Sequence, residues 1–319
     1  MFSISHIKEG GFKKTVLQDG HTGTTVELIP SCGAILHGFS VDLHGNMLNL
    51  VEQYDSSEDF GLNVASKGFK SCKLSPFACR INKALYRFGG KEYRIEKFLL
   101  NGSALHGLLF DAVFEETERV AEEDKAQLTL LHQYGGTDPG YPFHFDCRVS
   151  YILGKDNSLD IRTTIINRDK GLIPVQDGWH PYFQFGNSIN ELELEFQSKE
   201  MLEFTDELIP TGRLIPYQEF GSIRKIGDTF FDNCFTLNFA ECEPLCVLRD
   251  PKRGIQLEIR PAESYPYLQL YTPPHRNSIA IENLSAAPDA FNNGMGMITL
   301  EPGASSEFET NYRVRKTEG

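Results

Sequence analysis

Short runs of alternating apolar and polar residues, separated by turn residues about every 8–12 positions, recur along this chain. Residues 159–165 alternate aliphatic or Thr side chains with Asp, Arg and Thr, and residues 191–196 alternate Leu or Phe with Glu. Residues 86–88 and 92–95 flank Gly89-Gly90, a pattern typical of a β-hairpin. Since no stretch has a long helical period, the sequence predicts an all-β fold of large antiparallel sheets, as a sandwich or barrel.

A chain of 319 residues can form one large β domain or two ordinary domains. We find no break in composition and no Pro/Gly/Ser-rich linker, and short internal repeats that would indicate a propeller are absent. We therefore predict a single β domain over residues 1–319. Residues 51–75 are mixed in character and predict a loop with one helical turn.

Charge and cysteine usage narrow the classes of partner and compartment. The formal net charge of −13 argues against nucleic acid or an anionic membrane surface as a partner. No window approaches the ~20 apolar residues of a membrane span, and the N-terminus does not have the pattern of a signal peptide. The 7 cysteines are scattered and form no C-x-x-C pair, which is typical of a reduced protein. We expect a cytoplasmic protein.

One aromatic-rich stretch, residues 175–185, combines an imidazole with a carboxylate and the only Trp of the chain. His180 lies between Trp179 and Tyr182-Phe183, and Pro181 prevents the backbone from continuing as a regular ladder. Aromatic rings beside a titratable group suit a sugar-binding cleft. A buried strand end with a hydrogen-bonded histidine fits the same composition.

Four other stretches place ionisable groups in aromatic, apolar or glycine-rich settings. Glu282 is the most informative of these groups, because it continues the apolar strand 278–281, and a carboxylate there needs partners or stays protonated. It could also be a buried glutamate that caps backbone groups. The other three are His106 in Leu-His-Gly, Asp232 in Phe-Asp-Asn-Cys-Phe, and Arg80 in Pro-Phe-Ala-Cys-Arg-Ile.

The sequence disfavours several common chemistries. It contains no G-x-S-x-G nucleophile elbow, no Walker loop, no dinucleotide fingerprint and no helical H-E-x-x-H pattern. A metal site for Fe or Mn on a β scaffold stays open, since N and O donors are available. Its candidate ligands are His106, His180, Asp232 and Glu282.

Taken together and in order, these stretches resemble motifs of the aldose 1-epimerase (mutarotase) family. The resemblance extends from about Leu17 to Tyr312 and implies a galactose mutarotase-like supersandwich, in agreement with the all-β pattern. Five motifs carry it: Pro-Phe-x-x-Arg-Ile at 76–81, Leu-His-Gly at 105–107, His-Pro-Tyr-Phe at 180–183, Phe-Asp-x-x-Phe at 231–235 and Pro-Asp-Ala-Phe-Asn at 288–292.

The resemblance implies a role for each matching residue. His180 corresponds to the general acid and Glu282 to the general base of a cofactor-free anomer interconversion on a small sugar. His106 corresponds to a second histidine on the ring-oxygen side, and Asp232 and Arg80 to residues that bind sugar hydroxyls. We expect nearby carboxylates to keep the imidazole of His180 charged.

The aromatic rings around His180 could also contact the sugar. Trp179, Tyr182 or Phe183 could present an apolar face to its C–H groups, with core packing favoured for Phe183.

Departures from the family pattern indicate a divergent branch. Cys79 precedes Arg80, Leu108 follows Gly107, and Trp179 precedes His180. Beside a free-hexose epimerase, two alternatives remain: a hexose 6-phosphate epimerase, with Arg80 and Lys73 as candidate cations, and a non-catalytic sugar-binding protein on the same fold.

Overall fold

A computed structural model describes residues 1–317, which form 29 strands, two short α-helices and two 3₁₀ turns. The helices are α1 (Ser57–Asn63) and α2 (Ala290–Asn293), and the 3₁₀ turns cover Asn82–Ala84 and Ile189–Glu191. The strands in chain order are β1 (Phe2–Glu9), β2 (Phe12–Asp19), β3 (Thr25–Ile29), β4 (Ile35–Leu43), β5 (Asn46–Asn49), β6 (Lys73–Leu74), β7 (Arg80–Ile81), β8 (Leu85–Phe88), β9 (Lys91–Arg94), β10 (Leu99–Leu100), β11 (Ser103–Leu105), β12 (Glu115–Ala121), β13 (Lys125–Gly135), β14 (His144–Gly154), β15 (Ser158–Asn167), β16 (Ile173–Val175), β17 (Gly178–Trp179), β18 (Tyr182–Phe183), β19 (Glu193–Phe196), β20 (Ser198–Phe204), β21 (Pro210–Pro216), β22 (Arg224–Lys225), β23 (Asp232–Leu237), β24 (Cys246–Asp250), β25 (Ile255–Pro261), β26 (Tyr267–Tyr271), β27 (Ile279–Leu284), β28 (Ile298–Leu300) and β29 (Ser305–Lys316).

The largest sheet contains nine strands in the order β12-β13-β14-β15-β29-β25-β24-β19-β22. All of its pairings are antiparallel. In β15, Leu159, Ile161, Thr163 and Ile165 are buried, whereas the residues between them are partly or fully exposed. The alternation in the sequence therefore corresponds to one face in the core and one towards solvent, which confirms the predicted all-β class.

The second large sheet contains eight strands and carries the candidate site. Its order is β21-β20-β23-β26-β27-β17-β6, and β18 also pairs with β27. The central strand β27 is buried at every position, because it is covered on both faces. The predicted strands 256–260 and 267–271 lie in different large sheets, and the loop after Pro261 carries the chain from one sheet to the other.

Smaller elements complete the fold. Strands β1 to β5 form an antiparallel five-stranded sheet in chain order, and β10-β11-β7 form a three-stranded one. The predicted hairpin is confirmed as β8 and β9 joined by Gly89-Gly90, with φ of +57° and +77°. The predicted helical turn is α1, whose N-cap Ser56 accepts a hydrogen bond from the backbone N–H of Asp59. Within residues 1–317, neither helix has the length and hydrophobicity of a membrane span.

A continuous apolar core joins the two large sheets. Phe183 of β18 packs edge-on against Tyr312 of β29, with ring centroids 5.2 Å apart. Both side chains are fully buried. The site-bearing strands are therefore fixed against a rigid second layer.

Candidate active site

One cavity of about 440 Å³ lies at the eight-stranded sheet and contains all five residues singled out in the sequence. They are His180, Glu282, His106, Asp232 and Arg80. The volume lies within the ~300–1,000 Å³ typical of small-molecule sites. Residues up to about 200 positions apart in the chain therefore share one opening.

Register across three adjacent strands brings the carboxylates together. Asp232 begins β23 opposite Tyr271 of β26, and Gln269 of β26 lies opposite Glu282 of β27. Neighbouring strands lie about 4.8 Å apart, so side chains on one face of this trio are adjacent.

The imidazole of His180 is held by a break between two short strands. His180 and Pro181 separate β17 from β18. The N–H of His180 donates to Cys72 O (3.1 Å), and the N–H of Ser71 donates to His180 O (2.8 Å). A Cβ at Gly178 would lie 2.7 Å from Leu284 Cδ2, so the glycine lets β17 approach β27 closely. The segment that carries His180 thus packs directly on the strand that carries Glu282.

The Leu-His-Gly segment forms a tight turn beside His180. His106 has φ of +59°, and its N–H donates to Cys79 O (2.8 Å). At Gly107, with φ of +78°, a Cβ would lie 2.5 Å from Ser75 O, so only glycine fits. The rings of His106 and His180 meet edge to face with centroids 4.8 Å apart.

The pair His180 and Glu282 forms the centre of the site. His180 Nε2 lies 3.3 Å from Glu282 Oε1, and both side chains are at most 5% exposed. Burial lowers the pKa of His180 to about 4 and raises the pKa of Glu282 well above its usual range. The expectation of a charged imidazole is therefore wrong, because the nearby carboxyl is itself buried, favours its neutral form and does not stabilise an imidazolium.

Several buried polar atoms around this pair have no hydrogen-bond partner within residues 1–317. They are His180 Nδ1, His106 Nδ1, Glu282 Oε2 and Gln269 Oε1. Buried polar groups are normally hydrogen-bonded, so a cluster of unpaired ones in a cavity wall requires an explanation such as a catalytic role. A ligand rich in hydroxyl groups can both donate to and accept from such a set.

Arg80 and Asp232 complete the polar lining of the cavity. The guanidinium of Arg80 makes no hydrogen bond or salt bridge to any side chain of the described residues, and is therefore available to a ligand. Asp232 Oδ1 accepts from Gln269 Nε2 (3.2 Å). Burial raises the pKa of Asp232, and the nearby Arg80 opposes this shift.

Of the three candidate aromatic rings, only Tyr182 lines the cavity, where it stacks on His180 at a centroid distance of 5.1 Å. Phe183 packs in the core, as favoured from the sequence. Trp179 also lies in the core, where its ring packs against Tyr151 and under Lys73 Nζ at 4.2 Å. Its position next to His180 does not bring it into the cavity, because Trp179 ends β17 with its ring in the core and His180 lies in the break after that strand.

The proposed role of Lys73 as a phosphate-binding cation is wrong. Its side chain is fully buried outside the cavity lining, where Nζ donates to Asp177 Oδ2 (2.5 Å) and to Gly178 O (3.0 Å). A strand residue such as Lys73 can point into the core as readily as into the site, and the sequence did not indicate that Asp177 is its partner.

Sequence reasoning missed several lining residues, among them two groups on or next to strands of the eight-stranded sheet. Gln269 and Tyr271 lie on β26, a strand that was predicted without assigning a function to its polar side chain. Phe204 and Leu208 come from β20 and the loop that follows it. The available signal for Gln269 was its amide between two leucines in Tyr-Leu-Gln-Leu-Tyr. Its importance becomes clear only from the strand register, which places it opposite Glu282.

A metal ion would find three of its four candidate ligands here. Ligand atoms of His106, His180 and Glu282 lie within 4.8 Å of one another, whereas Asp232 is not part of this group. Two imidazoles and a carboxylate suit Fe or Mn in kind. The direct contact between His180 and Glu282 means that an ion would have to separate the pair.

Comparison with known proteins identifies the family. Residues 14–313 match the family described as aldose 1-epimerase. The chain belongs to the aldose 1-epimerase family. It is thus an isomerase of the mutarotase type, and the matched range agrees with the extent of the motif resemblance.

Two relatives of this family are described by their activity. The chain is 24% identical over 348 residues to an aldose 1-epimerase of Streptococcus thermophilus, with 97% of this chain and 96% of that protein covered. It is 22% identical over 249 residues to a maltose epimerase of Levilactobacillus brevis, with 72% and 71% covered.

Solved structures share the fold. A galactose mutarotase-like protein of Clostridium acetobutylicum superposes with a TM-score of 0.86 over 99% of both chains at 16% identity. The predicted galactose mutarotase-like architecture is confirmed.

Proposed function

We propose that this protein interconverts the α and β anomers of a free hexose by acid–base opening and reclosure of the ring, and that residues 1–319 act as a single catalytic domain. The observation that carries the proposal is the 3.3 Å contact between His180 Nε2 and Glu282 Oε1 inside one sugar-sized cavity. An acid and a base at one carbon are what ring opening requires.

The reaction uses the pair in its charged form. The carboxylate of Glu282 takes the proton of the C1 hydroxyl while the imidazolium of His180 gives a proton to the ring oxygen O5, and the C1–O5 bond breaks. The open-chain aldehyde rotates about C1–C2. The O5 hydroxyl then attacks the other face of C1, its proton returns to His180, and the new C1 hydroxyl takes its proton from Glu282. Both residues end as they began.

The proton that the reaction needs is already present in the pair. The raised pKa of Glu282 and the lowered pKa of His180 leave one proton on the carboxyl group. Transfer of that proton to the imidazole gives the charged form without exchange with solvent. A sugar supplies hydroxyl groups that solvate both charges, which offsets the cost of charge separation in a buried site.

The remaining residues hold the sugar in place. We propose that the unpaired guanidinium of Arg80 and the carboxyl of Asp232 bind hydroxyl groups away from C1, and that His106 orients the ring-oxygen side. Tyr182, stacked on His180, offers a polarisable wall to that imidazole.

The alternative of a hexose 6-phosphate substrate has less support. With Lys73 outside the lining, Arg80 is the only Lys or Arg among the described residues that line this cavity, and Asp232 and Glu282 line the same space. A phosphate group would require more positive charge than one guanidinium beside two carboxyl groups.

The proposal is tested by polarimetry on freshly dissolved α-glucose and α-galactose. We expect catalysed mutarotation by the wild type, and a loss of about 10²-fold or more in kcat for Glu282→Gln and for His180→Ala. Glu301→Gln, an exposed carboxyl outside the cavity, is the matched control and should retain the wild-type rate. Uncatalysed rates for the wild type and every variant would leave only the alternative of a non-catalytic sugar-binding protein. An active His180→Ala variant would assign the acid role to His106.

A further inference from the structure

A second hollow adjoins the catalytic cavity and has no role in the reaction described above. Its volume is about 330 Å³, and it is bounded by the segment after α1 and by the loop between β26 and β27. Lys67, Lys70, Pro273, Pro274 and His275 line this hollow and not the catalytic cavity. We call it the adjoining hollow.

The two spaces share a wall. Ser66, Gly68, Tyr182 and Tyr271 line both of them. The rings of Tyr182 and Tyr271 meet edge to face with centroids 6.4 Å apart. A Cβ at Gly68 would lie 2.4 Å from Tyr182 Oη, so this glycine lets the tyrosine hydroxyl pack against the backbone where the two spaces meet. The catalytic cavity and the adjoining hollow are therefore immediate neighbours that meet at these shared side chains.

The adjoining hollow contains charged groups, but each of its two lysines already forms an ion pair with a carboxylate. Lys70 Nζ lies 2.6 Å from Glu52 Oε1, and Lys67 Nζ lies 2.7 Å from Asp59 Oδ1. Burial opposes the ionisation of Glu52, but hydrogen bonds from Lys70 and Ser278 hold its pKa below the ordinary value. Neither lysine is thus available as a bare counter-charge for a phosphate or another strong anion.

The same lining suits a neutral sugar ring. Tyr271 and the prolines Pro273 and Pro274 provide apolar surface. The heads of Glu52 and Lys70 and the half-exposed imidazole of His275 can bind hydroxyl groups, with His275 Nε2 3.9 Å from Glu52 Oε2. Apolar walls with a few convergent polar groups are typical of small-molecule sites.

We propose that the adjoining hollow is a subsite for a second sugar residue, so that the protein acts on a reducing disaccharide as well as on the free hexose and has the higher kcat/KM for the disaccharide. The reducing ring occupies the catalytic cavity, because only its C1 carries the free hydroxyl that Glu282 deprotonates. The second ring, linked through an oxygen away from C1, passes Tyr182 and Tyr271 and lies against Pro273, Pro274 and His275. This inference rests on the epimerase function proposed above.

The test compares kcat/KM for matched sugars by polarimetry. Maltose, cellobiose and lactose are measured against glucose, which is their reducing ring, and galactobiose is measured against galactose. For at least one disaccharide we expect kcat/KM about tenfold or more above that of its own reducing monosaccharide, which corresponds to one extra set of sugar contacts. The same disaccharide should protect the protein against thermal unfolding at lower concentration than the monosaccharide does.

Two variants fill the hollow from opposite sides. His275→Trp and Lys67→Trp change side chains that line only the adjoining hollow, and each should lower the disaccharide-to-monosaccharide ratio about fivefold or more. His21→Trp, an exposed histidine elsewhere, is the matched control and should leave the ratio unchanged. The rate with the monosaccharide shows in the same experiment that each variant is folded.

The outcomes separate the two proposals. Acceleration of monosaccharides with no disaccharide preferred, or a ratio that both Trp variants leave unchanged, would overturn the subsite and leave the epimerase function intact. Acceleration of hexose 6-phosphates above all other sugars would also overturn it. Acceleration of no sugar at all would remove both proposals.

Discussion

At the scale of single residues, burial determines the protonation of the two central groups. His180 and Glu282 are removed from water by the strands and aromatic rings around them, and each therefore favours its neutral form. The two residues are close enough for their titrations to be coupled, so the apparent pKa values belong to the pair. Together they keep one proton over a wide pH range.

The number of protons that His180 and Glu282 hold together predicts the pH dependence of kcat/KM. Below about pH 4, the value to which burial lowers the pKa of His180, the pair holds two protons and no base is present. Above the raised pKa of Glu282 the pair holds none and no acid is present. We expect a bell-shaped profile with its acid limb near pH 4 and its basic limb well above the ordinary carboxyl range.

The profile is checked by polarimetry in buffers of constant ionic strength, with the Glu282→Gln variant measured in parallel. An acid limb close to the ordinary pKa of histidine would contradict the buried, neutral imidazole. A profile without a basic limb would show that the proton on Glu282 has no part in the reaction.

At the scale of elements, a buried ion pair connects the three strands that hold the catalytic pair. Lys73 of β6 contacts Asp177, which immediately precedes β17, and Tyr265 Oη donates to Asp177 Oδ2 (2.7 Å). The N–H of Asp177 donates to Ser285 Oγ (2.8 Å), and the N–H of Ser285 donates to Asp177 O (2.9 Å). Since Ser285 directly follows β27, Asp177 fixes the position of His180 relative to Glu282.

We therefore expect Lys73 and Asp177 to act as positioning residues. Lys73→Met or Asp177→Asn alone leaves an uncompensated buried group and should cost about 3–5 kcal/mol in the free energy of unfolding. Because the His180 segment shifts, kcat should fall while KM changes less. The double variant Lys73→Met/Asp177→Leu removes both charges and should recover much of the stability.

Denaturant unfolding and steady-state kinetics on the same preparations test this role. Recovery of stability in the double variant together with a low kcat would identify the pair as a positioning device. A full kcat in the single variants, calculated per folded molecule, would reduce the pair to a purely structural feature.

At the scale of the whole molecule, the rigidity of the site depends on the core between the two large sheets. Phe183 lies next in sequence to Tyr182 and packs on Tyr312 of the opposite sheet. The ring therefore fixes β18, which carries one wall of the cavity, to the nine-stranded sheet.

Removal of this core contact should reduce stability far more than removal of an exposed ring. We expect Phe183→Ala to lower the free energy of unfolding by about 3–5 kcal/mol. Phe230→Ala, whose side chain is 65% exposed, is the matched control and should change it by less than about 0.5 kcal/mol. Guanidinium unfolding measures both, and equal effects of the two variants would contradict the role assigned to the core.

Much of this architecture could be predicted from the sequence alone, because it depends on patterns among residues that are close together in the chain. Alternation with a period of two determined which face of β15 is buried, and Gly89-Gly90 determined a hairpin turn, since both depend on neighbouring residues. Four residues of the candidate site could be named because each belongs to a short motif, and Glu282 because it continues an apolar strand.

Only the tertiary structure decided how these residues act together. The register of β26 on β27 brought Gln269 to Glu282, and the direction of each side chain placed Tyr182 in the cavity but Trp179 and Lys73 in the interior. Burial then reversed the expected charge of His180. Register, facing and desolvation arise from contacts between segments that are distant in the chain, and no local pattern contains them.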